Sequence, residues 1–148
     1  MSPSLQAGQR FSWRTTIPVR ATVPALYHDT DFCRDMPDVL ATGYLVGMME
    51  LACVHGIMAF VDWPREQSLG TMVNFRHLAP TPPGMDLRIE GEVTAVEGRR
   101  ISFKVEAWDD HERVCEGTHE RMLIAPERFA DKLAQKIAAV SAAAQVTP

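Results

Sequence analysis

ATGYLVGMMELACVHGIMAFV, residues 41 to 61, is a long apolar run whose reading decides the fold. Its apolar residues fall on every side of a helical wheel, the pattern of a helix enclosed by other structure rather than lying on a surface. Gly43, Gly47 and Gly56 lower its helix propensity, so another element is expected close to its backbone, and a sheet wrapped around it would supply one. Glu50 sits at its centre. A carboxylate is costly to bury unless protonated, paired or solvated in a cleft, which makes Glu50 a candidate working group. The competing reading, a solvent-facing line along the helix, meets Val46, Gly47, Cys53 and Val54 at the neighbouring turns, none of them a solvated residue. Broken by Glu50 and His55, the run is not read as a membrane span.

The rest of the composition sets bounds. A chain of 148 residues with 46% hydrophobic content is expected to be one domain, residues 1 to 148, with the tail SAAAQVTP frayed from about residue 140. A net charge of −4 without any run of Lys or Arg argues against nucleic acid or an anionic membrane surface as partner. Cys33, Cys53 and Cys115 are odd in number and scattered, so neither a disulfide framework nor a metal site is expected, and a reducing cytoplasm fits best. MSPSLQAGQRF has no apolar segment of the secretory-signal kind.

Outward from the helix, the remaining segments read mainly as strands. Phe11 to Ala25 is extended in character, limited by Pro18 and Pro24 to an edge or irregular strand. Residues 26 to 39 read as a loop delivering the chain to the helix, and 62 to 70 as a turn-rich exit. In TMVNFRHLA (71 to 79), Val73, Phe75, His77 and Ala79 share one face, which points His77 to an apolar side. Leu87, Ile89, Val93 and Ala95 alternate with polar residues, as do Ile101, Phe103, Val105 and Ala107 after the hairpin EGRR. In RVCEGTHERMLI (113 to 124) the polar cluster from Gly117 to Arg121 breaks clean alternation, suggesting a strand close to a helix or ligand. Pro126 opens a C-terminal helix with Phe129, Leu133 and Ile137 on one stripe, expected to pack on the domain's outer edge. One buried helix followed by four long antiparallel strands in a meander gives an α+β class, the arrangement known as the hot-dog fold.

ATGYLVGMMELACVHGI, SLGTMVNFRHLAPTPPGM, VEGRRISFKVEAWD and EGTHERMLI resemble, in order and spacing, the fluoroacetyl-CoA thioesterase-like branch of hot-dog thioesterases. The similarity runs from about Gly8 to Phe129. It implies a homodimer with acyl-CoA sites at the subunit interface, and thioester hydrolysis with neither metal nor cofactor. It places the family's catalytic threonine, glutamate and histidine on Thr42, Glu50 and His77. It places a substrate-binding backbone amide on Gly70 and an arginine near the site on Arg121. The lid segment ahead of the helix, phenylalanine-rich in the fluoroacetyl enzyme, here runs through Phe32, Met36 and Val39.

Read without the resemblance, each residue has a bland alternative: Thr42 as a helix N-cap, His77 as a satisfied core histidine, Arg121 as a solvated strand residue. Taken together, a carboxylate in a buried helix, a hydroxyl near that helix's start and an imidazole on a facing strand suit acyl transfer at one cleft. Hydrolysis of a short-chain acyl-CoA is the leading expectation. The alternatives are a hot-dog hydratase or dehydratase acting on an enoyl thioester, whose Asp-His pair is missing from residues 41 to 61, and a non-catalytic acyl-CoA binding module.

Overall fold

The computed structural model describes residues 5 to 144. Within them one antiparallel sheet is built from β1 (Arg10–Thr16), β2 (Gln67–His77), β3 (Asp86–Glu97), β4 (Arg100–Trp108) and β5 (Arg113–Ile124). The helices are α1 (Val23–Leu26), a single turn, α2 (Thr42–Ile57) and α3 (Pro126–Ala144). Strand order is β1-β3-β4-β5-β2.

The expected four-strand meander holds only for β3 to β5. β2 pairs with β5 at the far side of the sheet instead of with β3. Residues 78 to 85, which join β2 to β3, carry Pro80, Pro82 and Pro83, whose ring-locked backbones cannot form a two-residue hairpin. β2 also starts earlier than its sequence suggested: Gln67 to Gly70, read as part of a turn, already pairs with Arg121 to Ile124 of β5. β1 is shorter than expected. It ends at Thr16, and the chain from Pro18 turns through a 3-10 turn at Val19–Ala21 into α1.

The concave face of the sheet supplies the core. Leu87, Ile89 and Val93 of β3 and Ile101, Phe103, Val105 and Ala107 of β4 are buried at every second position. They meet Leu45, Met48, Met49, Ala52, Cys53 and Ile57 of α2. Each large apolar side chain so enclosed contributes about 1.5–3 kcal/mol relative to exposure. The close approach expected at the helix glycines occurs at Gly56, where a Cβ would collide with the Phe11 ring. That ring also lies against Gly91 of the neighbouring strand and stands edge-on to Phe103 at 6.1 Å. β1 therefore clamps the C-terminal part of α2.

Enclosure is one-sided, against the expectation of a helix covered all round. Gly43, Gly47, Leu51 and His55 form an exposed line along α2, and nothing lies within 4 Å of a Cβ placed on Gly47. α3 also departs from expectation. Phe129, Leu133 and Ile137 are exposed, so the apolar stripe does not pack on the domain. The helix itself continues to Ala144, past the point where fraying was expected; the remainder of that tail lies outside the described residues.

Candidate active site

Thr42 does not cap α2. The N-cap is Ala41, without a side-chain cap, and Thr42 is the first helical residue. Its Oγ1 lies 2.9 Å from His77 Nδ1 at the end of β2, so the hydroxyl is committed to the imidazole. The other ring nitrogen, Nε2, is buried without a hydrogen-bond partner. Burial pushes the His77 pKa below the usual histidine value, the Ala79 backbone opposing, which keeps a neutral ring able to accept a proton. His77 is half-buried and not deep in an apolar face as its alternation implied. β2 is one of the two edge strands, and Val73 on the same face is exposed.

Glu50 belongs to a second cluster. Eight residues separate it from Thr42, a rise of about 12 Å along α2. Its carboxylate is one-third exposed, and its Oε1 lies 3.6 Å from Arg121 Nη1 and 3.7 Å from His119 Nε2. Gly70 faces it from β2. A Cβ there would collide with the carboxylate oxygen, so glycine leaves room for the Glu50 side chain in this position. Glu50 is thus neither a solvated surface acid nor a buried orphan.

Arg121 is nearly fully buried, not a solvated strand residue. Its Nε donates to Ser68 Oγ at 3.0 Å, its Nη2 to the Ser68 carbonyl at 2.8 Å, and its Nη1 to His119 Nε2 at 3.2 Å. Burial lowers its pKa below the usual arginine value, with Glu50 and then Cys53 opposing. Cys53 stays a thiol, its pKa pushed up to about 12 by burial, which removes it as a nucleophile.

His119 was not singled out by its sequence. It is completely buried between Phe103 and Phe75, each ring centroid 6.1 Å away. Its Nδ1 donates to the Met72 carbonyl at 2.7 Å, and its Nε2 accepts from Arg121. Both contacts are satisfied only by the neutral ring carrying its proton on Nδ1, so the 3.7 Å approach to Glu50 is neither an ion pair nor a hydrogen bond. Burial lowers the His119 pKa, which agrees with the neutral form. The β-bulge that breaks register between Gly70 and Met72 lies beside this carbonyl. As the polar cluster suggested, β5 passes close to a helix, through His119 and Arg121 beside Glu50 of α2. The cluster does not itself break alternation, since Cys115, Gly117, His119, Arg121 and Leu123 all occupy one parity, and Gly117 lies against the Asn74 backbone of β2.

A cavity of about 620 Å³ lies on the flank of α2 toward β1, between Trp13, Arg20, Tyr44 and Leu51, and contains none of these candidate residues. In the segment preceding α2, Phe32 and Met36 are exposed. Among the described residues no group of three or more His, Cys, Asp or Glu side chains could hold a metal ion.

A curved five-stranded antiparallel sheet around one long helix, with polar residues gathered where β2 and β5 meet that helix, is the hot-dog thioesterase architecture. A Thermus thermophilus hypothetical protein of the thioesterase superfamily shares it at TM-score 0.82 and 25% identity, over 96% of this chain and 99% of that one. The chain belongs, more narrowly, to the fluoroacetyl-CoA-specific thioesterase (FlK) family, whose model matches residues 25–127. A fluoroacetyl-CoA thioesterase of Streptantibioticus cattleyicolor is 40% identical over 136 residues, covering 92% of this chain and 97% of the relative. A solved structure of the fluoroacetyl-CoA thioesterase FlK superposes at TM-score 0.85 with 40% identity, over 90% of this chain and 98% of that one. A variant of FlK has been solved in complex with acetyl-CoA, at 39% identity and TM-score 0.84, over 89% and 98% of the two chains. The protein is accordingly a thioester hydrolase.

Proposed function

We propose that this protein hydrolyses a short-chain acyl-CoA thioester, fluoroacetyl-CoA or a similarly small ester, to the free acid and CoA, in a reducing cytoplasm and without a cofactor. One observation carries the reading. The Glu50 carboxylate stands beside the Arg121 guanidinium and packs against the bare backbone of Gly70, which supports an oriented anion next to a backbone amide that an acyl group can reach.

The chemistry asks little of the leaving group, because CoA thiolate departs readily. Attack and stabilisation of the carbonyl oxyanion are therefore the protein's tasks. Glu50 supplies the attack, by taking a proton from water or by adding to the carbonyl to give a mixed anhydride that water cleaves. In either route the tetrahedral adduct collapses with cleavage of the C–S bond and release of the thiolate; in the second route that collapse is what forms the anhydride, which water then cleaves. The Gly70 backbone contacts the acyl group, while the Thr42 hydroxyl, fixed by His77, orients the acyl oxygen and His77 moves the proton.

We also propose a homodimer whose sites are composite. A single chain holds Thr42 and His77 about 12 Å along α2 from Glu50, too far for one acetyl-sized group to touch both. The exposed line of Gly43, Gly47 and Leu51 lets a second α2 approach closely, and the edge strand β2 exposes Leu69 and Val73 beside an unpaired edge. With α2 antiparallel to its symmetry mate, each Thr42 and His77 pair meets the partner's Glu50 cluster. A panel of acetyl-, fluoroacetyl-, butyryl- and octanoyl-CoA assayed for free thiol tests the activity. Turnover confined to the small esters and lost in Glu50→Gln is expected; no turnover of any ester would overturn it.

A further inference from the structure

Arg121 faces Glu50, yet its backbone position alone does not fix where a long flexible guanidinium points. Three of its contacts do so: Ser68 Oγ takes Nε, the Ser68 carbonyl takes Nη2, and His119 Nε2 takes one Nη1 hydrogen, which holds Nη1 3.6 Å from Glu50 Oε1. We infer that His119 and Ser68 are positioning residues that aim Arg121 at Glu50, with His119 acting as an obligate neutral acceptor. The inference rests on the thioesterase reading of Glu50 but concerns residues that reading does not use.

The acceptor role follows from where His119 sits. A histidine accepts at Nε2 only while its proton is on Nδ1, and the Met72 carbonyl at 2.7 Å holds it there. Phe103 and Phe75 pack against the ring, each centroid 6.1 Å away, and the side chain is fully buried. A protonated His119 would present an N–H to the guanidinium and drive it from Glu50. Glu120 points the other way in charge, but its carboxylate approaches Arg100 at 3.9 Å instead. Ser68 completes the grip. Its side chain and its backbone bind two different nitrogens, so the guanidinium plane cannot rotate without breaking both.

Two substitutions separate aiming from packing. His119→Asn keeps an N–H near the Met72 carbonyl but loses the acceptor facing Arg121, whereas His119→Gln can place its amide oxygen where Nε2 stood. On an ester that the wild type hydrolyses, His119→Asn is expected to lower kcat by about 10²-fold with KM within about twofold, as for a misplaced catalytic group. His119→Gln should recover to within about tenfold of wild type, and Ser68→Ala should fall between the two. Nitrogen-detected NMR of the substrate-free protein at pH 7 should show His119 neutral with its proton on Nδ1. It should also show slowly exchanging Arg121 guanidinium protons in wild type and His119→Gln but not in His119→Asn. Wild-type kcat in a folded His119→Asn, equal losses in Asn and Gln, or an imidazolium signal for His119 would each overturn the inference. If no acyl-CoA is turned over, the thioesterase reading fails, and the NMR comparison still decides whether His119 fixes Arg121.

Discussion

Thr42 Oγ1 and His77 Nδ1 stand 2.9 Å apart, joining the first residue of α2 to the last residue of β2. The hydroxyl that the sequence offers as a helix cap is thus not a cap. Thr42→Ala should therefore leave the urea midpoint nearly unchanged, without the loss of about 1 kcal/mol that removing a true N-cap brings. It should at the same time reduce turnover by 10-fold or more, and Thr42→Ser, which keeps the hydroxyl, should retain most of it. Paired denaturation and thiol-release assays on the two variants check this. A large stability loss in Thr42→Ala with kcat preserved would return Thr42 to a structural role.

Gly70 and Glu50 make a steric prediction. A methyl group on Gly70 must displace the Glu50 carboxylate, because the collision is with its oxygen and lies within reach of His119 Cε1 at 3.2 Å. The far end of a glutamate can swing away, so Gly70→Ala should cost only about 1 kcal/mol of stability, at the low end of overpacking. Activity should fall about 10²-fold, since the carboxylate moves from its aimed position. Thermal denaturation and kcat measured together distinguish this from global disruption.

The imidazoles of half-buried His77 and buried His119 predict a pH dependence of stability. His77 and His119 both have pKa values lowered, burial being the largest cause in each. The Met72 backbone, Glu50 and Glu120 oppose it at His119, where Arg121 adds to the lowering. A histidine whose folded pKa lies below its unfolded value near 6.5 takes up more protons unfolded, so stability rises with pH. The contribution is fully present above about pH 6.5 and is lost as pH falls through the unfolded value toward the folded ones. Urea midpoints at pH 7.5, 6.5 and 5.5 should decline, and His119→Gln should flatten the part of the slope due to that ring. An equal slope in wild type and variant would assign it to other groups.

How much of this was legible in the chain depends on what kind of signal each feature leaves. Alternation in β3 and β4 and the apolar run of α2 were readable because burial repeats with the period of the element. Thr42, Glu50, Gly70, His77 and Arg121 were reached by motif resemblance, and Glu50 also by its apolar neighbours. The prolines after β2 argue against a tight hairpin to β3, but the placement of β2 beside β5 leaves no local trace, since pairing partners are chosen by the whole sheet. His119 was missed although a signal existed: counting by twos from Cys115 puts it on the inner face with Arg121 and Leu123. Its polarity masked that period. The open faces of α2 and α3 were misread for a different reason, because hydrophobic patterning reports what is to be buried and not by which chain.

That last ambiguity yields the sharpest test of the composite site. If Thr42 and His77 of one chain work with Glu50 of its partner, every site of a Thr42→Ala homodimer lacks the hydroxyl and every site of a Glu50→Gln homodimer lacks the carboxylate. In a mixed dimer both defects fall in one site, and the other site is wild type in every residue. Unfolding the two inactive variants together and refolding them should therefore restore activity. With random pairing half the dimers are mixed and half their sites are intact, so recovery should approach about a quarter of the wild-type rate. A site contained within one chain behaves differently: each chain carries its own defect into any dimer, and mixing restores nothing. Thiol release from acetyl-CoA by the refolded mixture, set against each variant refolded alone, decides between them, and a mixture no more active than its parents would place Thr42 and Glu50 in one subunit's site.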